Sequence, residues 1–174
     1  MTTIGEIVDF LDETFHPEYQ EDYDNSGFLL GKTDIEVTGV LAAIDLTPNV
    51  IDEAITNGCN MIVTHHPFIF GGLKRITSDS EAGRMVFSLV EHGIAVYAAH
   101  TNLDNMKEGI NGILANKLGS PTVAFSSLSP PTQTLVPVWL ELFPTLSPRR
   151  SLSTMSNVSL ACLLYAVRHC AATK

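Results

Sequence analysis

The chain has 174 residues, 45% of them hydrophobic, and a formal net charge of −9. That length and apolar content fit one domain with a sizeable core and exclude a disordered chain over most of its length. The acidic balance argues against direct nucleic-acid binding, which needs clustered Lys and Arg to neutralise phosphates; a small phosphorylated ligand held through metal ions stays open.

The first predicted element is a helix. Thr3 stands three residues before Glu6, the spacing of a capping box, and Ile4, Ile7, Val8, Leu11 and Phe15 recur with helical period until Pro17 helps to end the run. A polar loop from Glu18 to Ser26 leads into Gly27-Phe28-Leu29-Leu30-Gly31. Val37 to Ile44 reads as a buried strand rich in β-branched residues. Thr47 then suits an N-cap and Pro48 the first helical position of a helix running to about Asn57, with Gly58 placed to close it. Met61 to Thr64 is the next strand, a loop with Gly71-Gly72 comes after it, and a helix is expected from about Ser80 to His92 with Gly93 at its end. Ile94 to Ala99 is a third core strand, and a last helix is expected over about Lys107 to Leu118, ending at Gly119.

Strand and helix alternate, which predicts an α/β fold: a mostly parallel sheet flanked by helices, joined by right-handed crossovers. Ligands of such sheets collect beyond the carboxyl ends of the strands. Asp45, His65, His66, His100 and Asp104 all fall just past the ends of predicted strands. The two key segments are Met61-Ile62-Val63-Thr64-His65-His66-Pro67 and Ile94-Ala95-Val96-Tyr97-Ala98-Ala99-His100-Thr101-Asn102-Leu103-Asp104.

Neutral imidazole is a good ligand for zinc, iron, nickel and similar ions. His65 and His66 point to opposite sides if strand geometry continues through them, whereas a turn at Pro67 lets both face one cavity. The alternative is that one of them binds and the other only hydrogen-bonds. Asp104 can bind one ion or bridge two, or else serve as N-cap of the helix expected near Lys107. His100 can be a ligand, a general acid or base, or a hydrogen-bond donor to a ligand, and is read as lining the site without direct ligation. Asp24-Asn25-Ser26-Gly27 is either a surface turn or a loop that folds over the site, and Asp45 can simply cap the helix from Pro48. Lys74 and Arg75, after Gly71-Gly72, could contact a phosphate but match neither a P-loop nor a dinucleotide fingerprint. His16, His92 and His169 read as surface or helix-end residues.

Cys59, Cys162 and Cys170 form no CxxC motif and no even framework, so they read as ordinary thiols of a reduced, cytoplasmic protein. The N-terminus lacks the basic and apolar regions of a signal peptide, and no stretch reads as a membrane span.

The charge is unevenly spread. Residues 1–119 hold 18 of the 19 acidic and 6 of the 10 basic residues, whereas residues 120–174 hold one acid, Glu141, against four bases and carry six of the nine prolines. The chain therefore divides into an α/β metal-binding domain, 1–119, and a poorly patterned tail, 120–174.

Four motifs occur in order: Asp24-Asn25-Ser26-Gly27-Phe28-Leu29-Leu30-Gly31, Asp45-Leu46-Thr47-Pro48, Thr64-His65-His66-Pro67 and His100-Thr101-Asn102-Leu103-Asp104. Together they resemble the NGG-interacting-factor-three-like family, also described as GTP cyclohydrolase type-2-like proteins, over roughly residues 1–119. The resemblance implies an α/β fold, a pair of divalent metal ions (zinc, iron, manganese or nickel alike) and a ring-shaped homohexamer. It implies His65, His66 and Asp104 as metal ligands, and hydrolytic opening of the GTP base as the activity, with a small-molecule nucleotide as partner. The runner-up reading is a non-catalytic metal-binding or assembly protein.

The family completes its dinuclear site with a His and a Glu four residues apart near the C-terminus. Here Thr173 stands four positions after His169, and Glu141 is the tail's only acid. An incomplete metal site with impaired activity is therefore expected, and the tail from about Ser120 is expected to be out of frame or replaced. Reading the other frames of the encoding DNA should reveal a family-like continuation; finding none in either frame would count against an out-of-frame tail.

Overall fold

The computed structural model describes residues 1–117; side chains are described to residue 114. Helix α1 (Ile4–Phe15) opens the chain. Its start is the expected capping box: the Glu6 N–H donates to Thr3 Oγ1, and the Thr3 N–H donates to the Glu6 carboxylate. A turn of 3₁₀ helix, Pro17–Tyr19, comes next. The order then runs β1 (Gly27–Leu30), β2 (Val40–Ala43), α2 (Pro48–Thr56), β3 (Met61–Thr64), α3 (Glu81–Glu91), β4 (Ala95–Ala98), α4 (Thr101–Asn105) and α5 (Ile110–Lys117).

The four strands form one sheet in the order β1-β4-β3-β2. Strands β2, β3 and β4 are parallel, with Val40 opposite Met61 and Met61 opposite Ala95. The two inner strands are buried along their whole length, which is why their sequences are continuous apolar runs rather than alternating ones. Successive side chains nevertheless go to opposite faces. Met61, Val63, Ala95 and Tyr97 pack with Ile4, Val8, Leu11 and Phe15 of α1 on one face. Ile62, Ile94 and Val96 pack with Ile51 and Ala54 of α2 and with Met85 and Leu89 of α3 on the other. The α/β architecture with a mostly parallel sheet between helices is thus the one expected from the alternation of elements.

Three boundaries differ from those expected, each for a local reason. Strand β2 is shorter than Val37–Ile44 because side chains take over the pairing before it starts. Asn60 Oδ1 accepts from the Thr38 N–H at 2.9 Å, and Asn60 Nδ2 donates to the Glu36 carbonyl at 2.7 Å. Strand β1 is an addition. It runs antiparallel to β4 with an irregular register between Phe28 and Leu30, and all four of its residues are only partly buried. Gly31, just after it, has φ +134°, and a Cβ there would stand 2.6 Å from the Ala95 Cβ, so the chain needs glycine to pass this close to β4. Finally, the expected helix over Lys107–Leu118 is α5, beginning only at Ile110, and the short α4 precedes it. Asp104 lies inside α4, so the N-cap role considered for it is corrected. The reason is that the chain turns helical at once after β4, with the Asp104 N–H donating to the His100 carbonyl.

Helix α2 is capped by the Thr47 side chain, which accepts from the Val50 N–H, and Gly58 with φ +67° lets the chain leave it. Among the described residues no helix is long and apolar enough to cross a membrane. The expectations for His169, Thr173, Glu141 and the rest of 120–174 lie outside the described residues.

Tyr97 makes a long-range polar tie between α1 and the sheet. Its ring is fully buried, and its hydroxyl donates to Asp12 Oδ1 at 2.7 Å. Tyr97→Phe keeps the packing and removes that bond, so chemical denaturation should show a loss of about 1–2 kcal/mol; an unchanged midpoint would mean the bond contributes nothing net.

Candidate metal centre

Strands β3 and β4 lie side by side in parallel, with Thr64 opposite Ala98. The residues just beyond their carboxyl ends therefore emerge at the same sheet edge: His65 and His66 after β3, and His100 after β4. One ring nitrogen from each of His65, His66 and His100 lies within 4.8 Å of the other two. The ring centroids are 4.8 Å apart for His65 and His66, 5.2 Å for His65 and His100, and 5.4 Å for His66 and His100. The chain bends after Thr64, so the two adjacent histidines share one cavity rather than opposite faces of the sheet.

Each ring is held through Nδ1. His65 Nδ1 meets the Ala99 carbonyl at 2.7 Å, His66 Nδ1 meets Asp45 Oδ1 at 2.7 Å, and His100 Nδ1 meets Asp24 Oδ1 at 2.8 Å. A carbonyl or carboxylate oxygen accepts, so each neutral ring carries its proton on Nδ1 and keeps a lone pair on Nε2. Asp104, from α4, reaches the same place, its Oδ1 3.8 Å from His65 Nε2. All of the residues singled out by sequence for the site, His65, His66, His100 and Asp104, are thus brought together.

The electrostatics reflect burial. His65 is 7% exposed, and burial is the main force pushing its pKa down; Asp104 and the Ala99 carbonyl oppose it, while His66 and His100 add to it. Asp104 is mostly buried, and burial pushes its pKa up, against the pull of His65, His100 and His66. Asp24 is the opposite case. Burial works to raise its pKa, but hydrogen bonds from Thr101, His100, Ser26 and the Asn25 N–H hold it far below the usual carboxylate range. The side chain of Asp24 is closed off from solvent. Tyr23, beside it, has its hydroxyl pKa raised by partial burial and by the carboxylates of Glu21, Asp24 and Asp104.

Two of the partners take roles the sequence does not single out, although it offers a cap role for Asp45 and a turn or covering loop for Asp24. Asp45 accepts from His66 Nδ1 and does not cap α2, which Thr47 does. Asp24 accepts from His100 Nδ1 and also from the N–H and hydroxyl of Thr101. The only signal for either is position: Asp45 stands shortly after a strand, and Asp24 opens a turn-forming cluster. That cluster is tied down, with Asn25 Nδ2 donating to the Ile69 carbonyl. Lys74 and Arg75 are exposed on the loop after β3.

A family model described as Duf34/NIF3 (NGG1p interacting factor 3) matches residues 2–160. The chain belongs to this family. The match reaches beyond Gly119, past the last of the four sequence motifs, into the stretch of different composition. A Duf34/NIF3 relative from Clostridium acetobutylicum, named GTP cyclohydrolase 1 type 2 homolog, is 44% identical over 108 residues, which is 62% of this chain and 40% of the relative. Among solved structures, Staphylococcus aureus protein SA1388 superposes with a TM-score of 0.64 at 40% identity, over 68% of this chain and 34% of that one. Reduced HcgD from Methanocaldococcus jannaschii gives a TM-score of 0.62 at 30% identity, over 66% of this chain and 46% of that one. The chain thus spans less than half the length of these Duf34/NIF3 relatives.

The depressed Asp24 pKa has a consequence in acid. The folded carboxyl stays charged at a pH where the unfolded chain takes up a proton, so its stabilising contribution is complete above the ordinary carboxylate range and is lost as pH falls towards the folded value. Between about pH 4 and pH 2 the wild-type chain should lose stability more steeply than Asp24→Asn, followed by circular dichroism. Parallel acid limbs would show that this carboxylate is not held as described.

Proposed function

We propose that this chain is a metal-dependent, hydrolase-like protein acting on a nucleotide. The observation that carries the reading is the donor set: three imidazoles, each with Nδ1 against an oxygen acceptor, and a carboxylate 3.8 Å from one of them. That chemistry fits a divalent transition-metal ion, for which imidazole nitrogen and carboxylate oxygen are common ligands. His65, His66 and Asp104 would hold the ion. Such an ion supplies Lewis acidity and a more acidic bound water.

The remaining steps fall to the chain's own groups. His100 moves a proton at Nε2, because Asp24 keeps Nδ1 protonated and fixes the ring's direction. Asn102, fully buried, accepts from the His100 N–H at 2.9 Å and donates to the Phe15 carbonyl at 3.1 Å, so the backbone beneath His100 is also held. The nucleotide as substrate is supported by the name of the Clostridium relative. A metal-binding protein without catalysis is the alternative, and it is an outcome of the same experiment.

Elemental analysis of the full chain purified with zinc or manganese should find bound metal, with affinity lowered at least about tenfold in His65→Ala and Asp104→Ala. His100→Ala should keep the metal and lose GTP turnover by about a hundredfold. Metal without any turnover favours the non-catalytic reading. Loss of metal in His100→Ala makes that residue a ligand, and wild-type metal content in His65→Ala and Asp104→Ala removes the centre altogether.

A further inference from the structure

Two aromatic side chains stand in solvent beside the histidines. Phe70 is 50% exposed and Tyr23 is 63% exposed, although both are large apolar rings whose exposure is unfavourable. Phe68, two residues before Phe70, packs into the core cluster of α2 and α3. The loop after β3 therefore has an apolar place for a ring and still sends Phe70 outward.

The two exposed rings belong to different loops that the fold fastens together. Tyr23 precedes Asp24, whose carboxylate is fixed by Thr101, Ser26 and His100. Phe70 comes directly after Ile69, whose carbonyl accepts from Asn25 Nδ2. The ring centroids of Tyr23 and Phe70 are 6.4 Å apart and inclined at 49°. Phe70 in turn stands edge-on to His100, at 6.1 Å and 79°. A continuous path of rings thus leads from solvent through Phe70 to the imidazole cluster, and its supports are polar bonds within ordered segments. Rings held in place before binding lose little freedom when a flat ligand stacks on them.

We propose that Phe70 and Tyr23 form a stacking platform that seats the planar heteroaromatic ring of a small-molecule ligand at the mouth of the three-histidine site. The proposal rests on the metal-centre reading above for where the ligand's reactive end lies, but the platform itself needs only the two rings and their geometry. A planar ring laid on Phe70 is carried towards His100, and aromatic faces discriminate flat rings from non-aromatic sugars of similar polarity. The platform is therefore the specificity element of the site: it selects for a base or a similar ring and is indifferent to a bare sugar phosphate.

The test titrates the full chain with 2-aminopurine riboside, whose fluorescence falls on stacking, and with ribose 5-phosphate as the ring-free control, while metal content is measured on the same samples. Quenching that saturates is expected, with about tenfold weaker binding in Phe70→Ala, a smaller loss in Tyr23→Ala and recovery in Phe70→Trp. Ribose 5-phosphate binding should be the same in all four proteins. Absence of quenching at millimolar probe, or equal binding by Phe70→Ala and wild type, overturns the platform, as does failure of Phe70→Trp to recover. Metal uptake without quenching removes the platform and leaves the metal centre standing; quenching without metal uptake does the reverse.

Discussion

The hydrogen bond at each imidazole Nδ1 is the constraint on which this site depends. Without an acceptor there, a histidine ring rotates and exchanges tautomers, and three adjacent rings offer no common direction. Here the acceptors come from three separate places: the Ala99 carbonyl at the end of β4, Asp45 after β2, and Asp24 in the loop before β1. All three Nε2 lone pairs are fixed as a result. The sheet supplies the positions and the acceptors supply the orientation. A fold with the same strands and different residues at 24 and 45 would still bring the rings together but would leave two of them free to turn.

The sheet achieves the positioning because its inner strands are short, parallel and buried on both sides. Four residues of β3 and four of β4 run in register, so their carboxyl ends finish level. Helices on each face take alternate side chains, with Met61 and Val63 against α1 and Ile62 against α2 and α3. A shift of β4 by one residue would exchange Tyr97 for Val96 on the α1 face and break the Tyr97–Asp12 bond as well. The register is therefore fixed by packing and by that buried hydroxyl together, and the histidines inherit their alignment from it.

Much of this is legible in the residues, and the limits are physical. Apolar runs ending in His65-His66 and His100 mark the inner strands, because a doubly buried strand leaves a continuous hydrophobic signature. Helices α1, α2 and α3 are legible from their caps at Thr3, Thr47 and Ser80. Strand β1 is not, since a partly buried edge strand of four residues with an irregular register has no periodic signal. The short α4 is hidden for a similar reason: its first residues, Thr101 and Asn102, are poor helix formers held by contacts to Asp24 and Phe15. The pairing of Asp24 with His100 spans 76 positions and that of Asp45 with His66 spans 21, and no local pattern reports contacts of that separation.

The charges around the site make a further point about why its parts belong together. Asp24, Asp45 and Asp104 converge on three imidazoles, yet the environments of Asp24 and Asp104 drive those two apart. Asp24 accepts so many hydrogen bonds that its ionised form is strongly preferred, and it orients the helix start at Thr101 as well as His100. At Asp104 burial outweighs the pull of the three imidazoles and raises the pKa. A partly buried carboxylate is less favourable as an anion than one in water, and a neighbouring cation offsets that penalty. Desolvation likewise keeps the neighbouring His65 neutral, with its Nε2 lone pair directed at the same carboxylate. One carboxylate thus holds a ring in place, and the other stands beside a ring nitrogen at 3.8 Å. Two chemically identical side chains are thus set to different tasks by what surrounds them: donors from four groups around Asp24, and three imidazoles with partial burial around Asp104.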